Sequence, residues 1–289
     1  MKTTITRSPA FLVAPIFLVS LAARGQAPAP SPAAASPAPA VSAEGPLTPR
    51  DPKSPVPGFP DGRGPTGPVS LKILSPSPGE EIPLPGAVAN GAPVEVKLEL
   101  RNFETFYDPA TKSGQAVAIF LDGLPYFAHY EPSKPWLFRK VAPGTHTLRA
   151  VPIRPWGEPI REEGAFAMVT FRIGPKSEKN APAPGEPVLT VIEPRLRKKY
   201  SAAEAASLRF TFLVRGCRIS EGSDPDACRV RYRIDDRHEA ILTKPDGVPI
   251  EGLAVGKHVF VAGLTRDGKL IPGAYTLVQG SFDVTENPR

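Results

Sequence analysis

The sequence has few of the residues that build metal and redox centres. Its 289 residues include only two cysteines and four histidines. It contains no H-E-x-x-H zinc motif, no C-x-x-C pair, no G-x-S-x-G nucleophile turn and no Walker phosphate loop. These absences exclude the common motif-bearing classes of metalloprotease, α/β-hydrolase and P-loop enzyme. We predict a protein that is not an enzyme and has no cofactor, catalytic residue or metal site. The remote alternative is an enzyme whose site the sequence does not reveal.

A long apolar run is also missing. The largely apolar stretch from Ala10 to Ala23 has 14 residues, whereas a membrane-spanning helix needs about 20. Lys2 and Arg7 precede this stretch and small residues follow it, which is the layout of a secretory signal. Residues 1–25 are therefore predicted to be a signal peptide, with cleavage after Ala23 or Gly25 and an uncleaved anchor as the alternative. The protein is expected to be exported, to the periplasm or beyond, and to meet the membrane only transiently.

The charge excess is small. The formal net charge is +6, and removing Lys2 and Arg7 leaves +4 (6 − 2). The one dense basic run is Arg195-Leu-Arg-Lys-Lys199. We interpret this run as a solvated strand end, with a nucleic-acid patch as the alternative, and we expect no nucleic-acid partner.

Proline is abundant, with 38 residues, and much of it lies near the N-terminus. Residues 26–68 mix proline with alanine, serine and glycine, a composition that cannot bury enough apolar surface to offset the entropy of ordering. We predict a disordered Pro/Ala-rich linker there, which would act as a stalk. A second short linker is predicted at residues 175–187.

One stretch of the remaining chain occurs twice. Val141-Ala-Pro-Gly-Thr-His-Thr-Leu-Arg-Ala-Val is matched by Leu253-Ala-Val-Gly-Lys-His-Val-Phe-Val-Ala-Gly, at an offset of 112 (258 − 146). Around each copy, short alternating apolar segments are separated by turn residues, and no window shows sustained helical periodicity. The pattern predicts an all-β protein of two tandem antiparallel β-sandwiches, at residues 69–174 and 188–286.

These residues carry a family resemblance. With the segment Leu148-Arg-Ala-Val-Pro-Ile-Arg-Pro-Trp-Gly-Glu158, the chain resembles uncharacterised secreted bacterial proteins with tandem immunoglobulin-like modules. The Cys…Trp…Cys core of antibody domains is missing, because both cysteines flank one loop. The resemblance implies no activity, and the expected role is binding or scaffolding at the cell envelope.

Aromatic residues in the first unit are the candidate ligand-binding residues. Rigid aromatic faces at the end of a sandwich suit sugars or peptides, and the alternative is that these rings are core. A carbohydrate-binding module is therefore the second hypothesis, and the partner is an unknown protein or glycan of the envelope. The candidate residues are Tyr126, Tyr130, Trp136, Arg154 and Trp156.

The repeated histidines, His146 and His258, share strand parity with apolar neighbours. We interpret each as a packed imidazole that bonds to the preceding turn, not as a metal ligand. Acidic residues between the cysteines (Glu221, Asp224, Asp226) suggest turn chemistry, with calcium binding as the alternative.

Cys217 and Cys228 are predicted to form a disulfide, because an even cysteine count in an exported chain favours one. Thiol titration of the intact protein should find no reactive thiol without reductant and two after reduction. Two reactive thiols without reductant would contradict the assignment. Reduction should cost about 3 kcal/mol or less, since the closed loop is short.

Overall fold

The computed structural model describes residues 64–86, 90–175, 180–221, 224 and 227–286. The predicted signal peptide, most of the Pro/Ala-rich linker and part of the second linker lie outside the described residues, and the domain boundaries stay predictions. All of the described residues belong to one compact unit. In the described part of the chain, none of the helices has the length and apolar character required to span a bilayer.

The all-β prediction is confirmed. The first sandwich contains a three-stranded sheet of order β1-β3-β6 and a five-stranded sheet of order β2-β8-β7-β4-β5. A short 3-10 turn, Glu163–Ala165, precedes the last strand. The strands are β1 (Ser70–Ser75), β2 (Glu81–Ile82), β3 (Ala92–Arg101), β4 (Ala116–Leu121), β5 (Phe127–His129), β6 (Trp136–Val141), β7 (Gly144–Ile153) and β8 (Ala167–Ile173).

The second sandwich contains a three-stranded sheet of order β15-β11-β9 and a seven-stranded sheet with the path β10-β18-β16-β13-β12, to which β14 and β17 add at β13 and β16. A single helical turn, α1 (Ala202–Ala206), interrupts the strands. The strands are β9 (Val188–Glu193), β10 (Lys199–Ser201), β11 (Arg209–Arg215), β12 (Arg218–Ile219), β13 (Ala227–Ile234), β14 (His238–Leu242), β15 (Val248–Pro249), β16 (Gly256–Arg266), β17 (Lys269–Leu270) and β18 (Leu277–Thr285).

The strand order repeats. The sheet β1-β3-β6 corresponds to β9-β11-β15, and β2-β8-β7-β4-β5 corresponds to β10-β18-β16-β13-β14. One detail differs from the sequence prediction, which had only antiparallel pairing. The short strands β2, β10 and β12 pair in parallel with β8, β18 and β13. Each is only two or three residues long, so these pairings add little to the ladders.

Each sandwich encloses its own core. Strand β3 alternates as predicted, with Val94, Val96 and Leu98 buried and Glu95 and Lys97 exposed. In the first core the buried residues of β3 pack against Leu121, Leu148 and Phe171. The second core contains four buried phenylalanines, Phe210, Phe212, Phe260 and Phe282. Inward side chains from both sheets fill each core, which is the packing of a β-sandwich.

The repeated histidines hold the same contact in both sandwiches. His146 Nε2 lies 2.8 Å from the Ala142 carbonyl oxygen, and His258 Nε2 lies 2.8 Å from that of Ala254. The predicted bond to the preceding turn is therefore present twice. On the other side, His146 Nδ1 lies 2.8 Å from Asp122 Oδ2 and His258 Nδ1 lies 2.7 Å from Asp235 Oδ2.

Asp122 and Asp235 occupy equivalent positions and also accept a hydrogen bond from the backbone. Both have a left-handed conformation, with φ of 54° and 51°, which aspartate tolerates better than most residues. The other carboxylate oxygen accepts from the Thr147 N–H in the first sandwich and the Val259 N–H in the second. Each aspartate thus ties the end of one strand (β4 or β13) to the start of the adjacent strand of the same sheet (β7 or β16).

The two sandwiches pack against each other through outer sheet faces. On β4, Val117 and Ile119 enter the first core, whereas Ala118 and Phe120 point the other way and are also buried. They meet Ile192 of β9 and Leu213 of β11 in a separate apolar cluster. A strand buried on both faces reads as a continuous apolar run, which is the sequence of β4.

Hydrogen bonds cross this interface. Thr211 Oγ1 donates to the Gly157 carbonyl at 2.8 Å, and Arg161 Nη1 donates to the Phe212 carbonyl at 2.9 Å. The buried Arg149 of β7 donates from Nη1 to Thr190 Oγ1 at 3.0 Å and to the Leu189 carbonyl at 3.2 Å. Burial lowers the pKa of Arg149 to about 10, so the guanidinium stays charged at neutral pH.

The Cys217–Cys228 disulfide is present, with the two Cα atoms 6.0 Å apart. It closes the loop between β11 and β13 and does not join the two sheets of the sandwich, as the spacing predicted. Cys228 is buried and Cys217 packs against the second core, so the bond also contributes apolar contacts.

Replacing Asp235 tests the aspartate–histidine contact. Burial alone would raise the pKa of Asp235. The hydrogen bonds from the Val259 N–H and from His258 have a larger, opposite effect, so the net pKa lies below its ordinary value. Its stabilisation is therefore present above the unfolded pKa and is lost as pH falls through the folded pKa. Asp235→Asn should cost about 1–3 kcal/mol at pH 6 and should weaken the acid destabilisation measured by urea unfolding between pH 5 and pH 3. The exposed neighbour supplies the control, since Asp236→Asn should change neither quantity.

Gly157 tests how tightly the sandwiches are joined. Its φ is +78°, and an added Cβ would lie 2.6 Å from Cγ of Glu193 in the second sandwich. Gly79 has a φ of +75° and open space around it. Both alanine variants should lose about 1–2 kcal/mol to the left-handed backbone, and Gly157→Ala should lose about 1–3 kcal/mol more to overpacking. Equal losses in thermal or urea unfolding would mean that the interface yields freely.

Candidate ligand-binding site

An aromatic cleft opens on the side of the first sandwich. It lies where the segment after β3 passes the end of β5 and the start of β6, and its volume is about 560 Å³. The aromatic cleft is lined by Thr105, Phe106, Tyr107, Ala128, His129, Tyr130, Glu131 and Trp136. Two of the candidate residues, Tyr130 and Trp136, therefore meet in one place.

Tyr107 and Tyr130 form the outer part of the aromatic cleft. Their ring centroids are 5.0 Å apart in an edge-to-face arrangement. Thr105 Oγ1 donates to the Tyr130 carbonyl at 2.8 Å and so attaches the segment after β3 to the end of β5. Burial and the neighbouring Tyr107 raise the pKa of Tyr130. Tyr107 is 48% exposed, so it offers much of its surface to solvent.

Trp136 forms the inner part. Its ring lies 5.5 Å from Phe127 and 5.7 Å from His129, and it packs against the first core. His129 is fixed by a 2.8 Å contact between Nε2 and the Lys134 carbonyl. Trp136 Nε1 is buried and has no hydrogen-bond partner in the described part of the chain. Trp136 thus has both the core role and the cleft position that the sequence analysis left as alternatives.

Arg154 and Trp156 lie elsewhere, in the turn after β7. Trp156 Nε1 donates to Glu158 Oε2 at 2.9 Å, and the Arg154 guanidinium lies 5.6 Å from the Trp156 ring centroid. Neither residue lines the aromatic cleft. The turn itself is held by Thr211 from the second sandwich, through the Gly157 carbonyl. These two candidates form a separate half-buried pair.

Tyr126 is a correction to the predicted platform. Its side chain is only 6% exposed, and it packs in the apolar cluster between the sandwiches. The hydroxyl donates to Glu193 Oε1 at 3.2 Å, and Arg195 lies 4.4 Å above the ring centroid. Because the second sandwich covers this ring, Tyr126 is not available to a ligand at an exposed surface.

The acidic loop and the histidines have structural partners. Asp224 pairs with Arg218, and Glu221 accepts from Thr243, whereas Asp226 lies outside the described residues. His146 and His258 belong to different sandwiches. Among the residues that the structure describes, no three His, Cys, Asp or Glu side chains are grouped to hold a metal ion.

Sequence reasoning missed Tyr107. It lies in a loop without periodicity, and its contact with Tyr130 joins segments 23 positions apart (130 − 107). The only local signal is the pair Phe106-Tyr107 beside turn residues, and such a pair does not reveal which strand it will meet.

Comparison with known proteins assigns no family to this chain. No protein-family model and no curated protein matches the chain. Three solved structures illustrate the matches found. The fibronectin(III)-like modules of Clostridium thermocellum CbhA are 15% identical, with 74% of this chain and 93% of that chain covered and a TM-score of 0.26.

The second is SGBP-B from the mixed-linkage glucan utilization locus of Bacteroides ovatus, in complex with a mixed-linkage heptasaccharide, at 12% identity, 75% and 47% coverage and a TM-score of 0.22. The third is Yersinia pseudotuberculosis InvD, at 15% identity, 75% and 58% coverage and a TM-score of 0.22. This chain thus spans about half the length of the latter two. All three TM-scores are below 0.5, so neither family nor function is argued from them.

Proposed function

We propose that this chain is a non-catalytic, exported binding protein of the cell envelope, in which two joined sandwiches present a recognition surface. The observation that carries the proposal is the aromatic cleft beside β5 and β6. It combines an exposed ring, Tyr107, with rings that the fold holds in place, Tyr130 and Trp136. Ligand sites commonly combine a largely preformed concave surface with aromatic lining.

Two further features support a role in binding. Thr211, Arg161 and Arg149 form hydrogen bonds across the interface between the two sandwiches, and these bonds would fix the position of the cleft relative to the second sandwich. His129, His146 and His258 all contact backbone carbonyls. In each of these histidines a ring nitrogen is already used in a structural hydrogen bond. This favours a binding role for the protein over acid–base catalysis by these side chains. The disulfide supports the exported location.

The cleft favours carbohydrate as a second candidate function. Flat aromatic rings bind the apolar faces of sugar rings while neighbouring polar groups meet the hydroxyls. The cleft supplies Tyr107 and Tyr130 for the first task, and Glu131 and Thr105 lie among its lining residues. A protein partner would instead be expected to bury the exposed Tyr107 together with apolar side chains of the cleft such as Phe106 and Ala128.

The Tyr107→Ala variant tests the aromatic cleft. Tyr107 is exposed and contributes little to the core, so the variant should keep the thermal unfolding midpoint. Binding should weaken about twofold to tenfold if one aromatic contact of about 0.5–1.5 kcal/mol is lost. Affinity would be measured for the strongest hit of a glycan array and for the major partner recovered from envelope extract.

Trp156→Ala is the matched control, because Trp156 is also a half-buried surface aromatic but lies outside the cleft. It should leave affinity unchanged. A glycan hit that depends on Tyr107 supports carbohydrate binding, and a protein partner that depends on Tyr107 supports the broader proposal. If neither substitution changes the affinity, the ligand binds outside the aromatic cleft and the proposal is wrong.

A further inference from the structure

A second cavity lies between the two sandwiches, and neither the sequence analysis nor the proposed function uses it. Its volume is about 210 Å³, the space of roughly seven water molecules at about 30 Å³ each. The wall from the first sandwich includes Leu124 and Arg149, and the wall from the second includes Arg195, Leu196, Tyr275 and Gln279. This inter-sandwich cavity exists only because the sandwiches are docked.

Arg149 is the innermost charged group of the inter-sandwich cavity. It alternates along β7 with Leu148 and Ala150, which enter the first core, so it emerges on the outer face and is 3% exposed. Its guanidinium lies 4.4 Å from the centroid of Tyr275 and 5.3 Å from that of Phe120. These two cation–π contacts favour the charged guanidinium at this position.

The hydrogen bonds of Arg149 are incomplete. Nη1 donates to Leu189 and Thr190, and Nη2 donates to the Asp122 carbonyl at 2.6 Å. Nε is buried and has no partner in the described part of the chain. An unpaired buried donor is rare in native structures and calls for an explanation.

Arg195 brings a second positive charge to the same space. Its guanidinium lies above the Tyr126 ring, and the side chain is partly exposed. Among the residues that the structure describes, no aspartate or glutamate lines the cavity. Three carboxylates close to its wall have other partners. Asp122 binds His146 and the Thr147 N–H, and Glu186 accepts from the Ala274 N–H. Glu193 accepts from Tyr126, Tyr200 and the Arg195 N–H.

We propose that the inter-sandwich cavity is a binding site for a small organic carboxylate with an apolar body. Arginine matches the geometry of a carboxylate in paired hydrogen bonds, and Arg149 and Arg195 supply the charge. Asp122 attracts Arg149 electrostatically, but its carboxylate oxygens bind His146 and the Thr147 N–H. The apolar lining of Leu124, Leu196 and Leu277, together with the small volume, favours a compact apolar body over a polymer or an inorganic ion. The site does not depend on the aromatic cleft.

Benzoate is the probe for the experiment, with the neutral isostere benzamide and inorganic phosphate as comparisons. The full chain, labelled with ¹⁵N, would be titrated with each compound while the arginine Nε–H resonances are followed by NMR. Benzoate should shift the Arg149 Nε–H signal and raise the unfolding midpoint, and benzamide should do neither. Phosphate that shifts the signal as strongly as benzoate would overturn the carboxylate assignment.

Variants keep the test independent of folding. Arg149→Lys removes interface contacts and is at risk of misfolding, so the decisive variant is Arg195→Gln, whose side chain is partly exposed. It should weaken benzoate binding about tenfold, as expected for loss of one charged hydrogen bond. Arg197→Gln is the matched control, because Arg197 is exposed, lies two positions away and does not line the cavity.

Equal benzoate affinity in the two variants would overturn the proposal, as would the absence of any Arg149 shift at millimolar benzoate. Loss of glycan or protein binding in Tyr107→Ala leaves these outcomes unchanged. The two sites therefore fail or succeed separately.

Discussion

A buried guanidinium group holds the two sandwiches in one arrangement. Removing a cation from water costs several kcal/mol unless hydrogen bonds and charge replace the solvent. Arg149 finds its replacements on both sides of the interface, with the Asp122 carbonyl in the first sandwich and Leu189 and Thr190 in the second. Any rotation between the sandwiches would break bonds that water cannot easily restore. The fixed arrangement then determines where the aromatic cleft and the inter-sandwich cavity lie.

Within each sandwich, the aspartate–histidine contact joins neighbouring segments of the chain, whereas Arg149 joins the two sandwiches. The aspartate accepts a backbone N–H and a histidine bond with its two oxygens, and the histidine reaches back to its own turn. The Asp122 backbone also accepts from Arg149. In the first sandwich, therefore, one residue links the internal contact to the interface.

The sequence predicted features that depend on local alternation. Half-buried strands such as β3 show their inward and outward residues directly, and the cysteine spacing indicated a bond across one loop. The histidine role followed from parity with core residues. Helix α1 starts with the capping box Ser201-Ala-Ala-Glu204. Its S-x-x-E spacing is a known sign of a helix start, but we predicted no helix in this segment.

The candidate site was less predictable because it depends on contacts between distant segments. Tyr126 and Tyr130 are four positions apart in the same aromatic stretch, yet one is covered by the second sandwich and the other lines the cleft. Only the docking of the sandwiches separates them. The apolar run of β4 was the available sign that an outer face is covered, because a half-exposed strand would have shown polar residues at Ala118 and Phe120.

The outer face of β13 in the second sandwich differs from the outer face of β4 in the first. Aligning Asp122 with Asp235 places Arg229, Arg231 and Arg233 of β13 where β4 has Ala116, Ala118 and Phe120. A further module seated in the same way would have to bury three guanidinium groups at once, with no aromatic ring supplied by this strand at those positions. The second sandwich therefore presents a charged face, exposed at Arg231 and Arg233, where the first sandwich presents the apolar face that meets its neighbour.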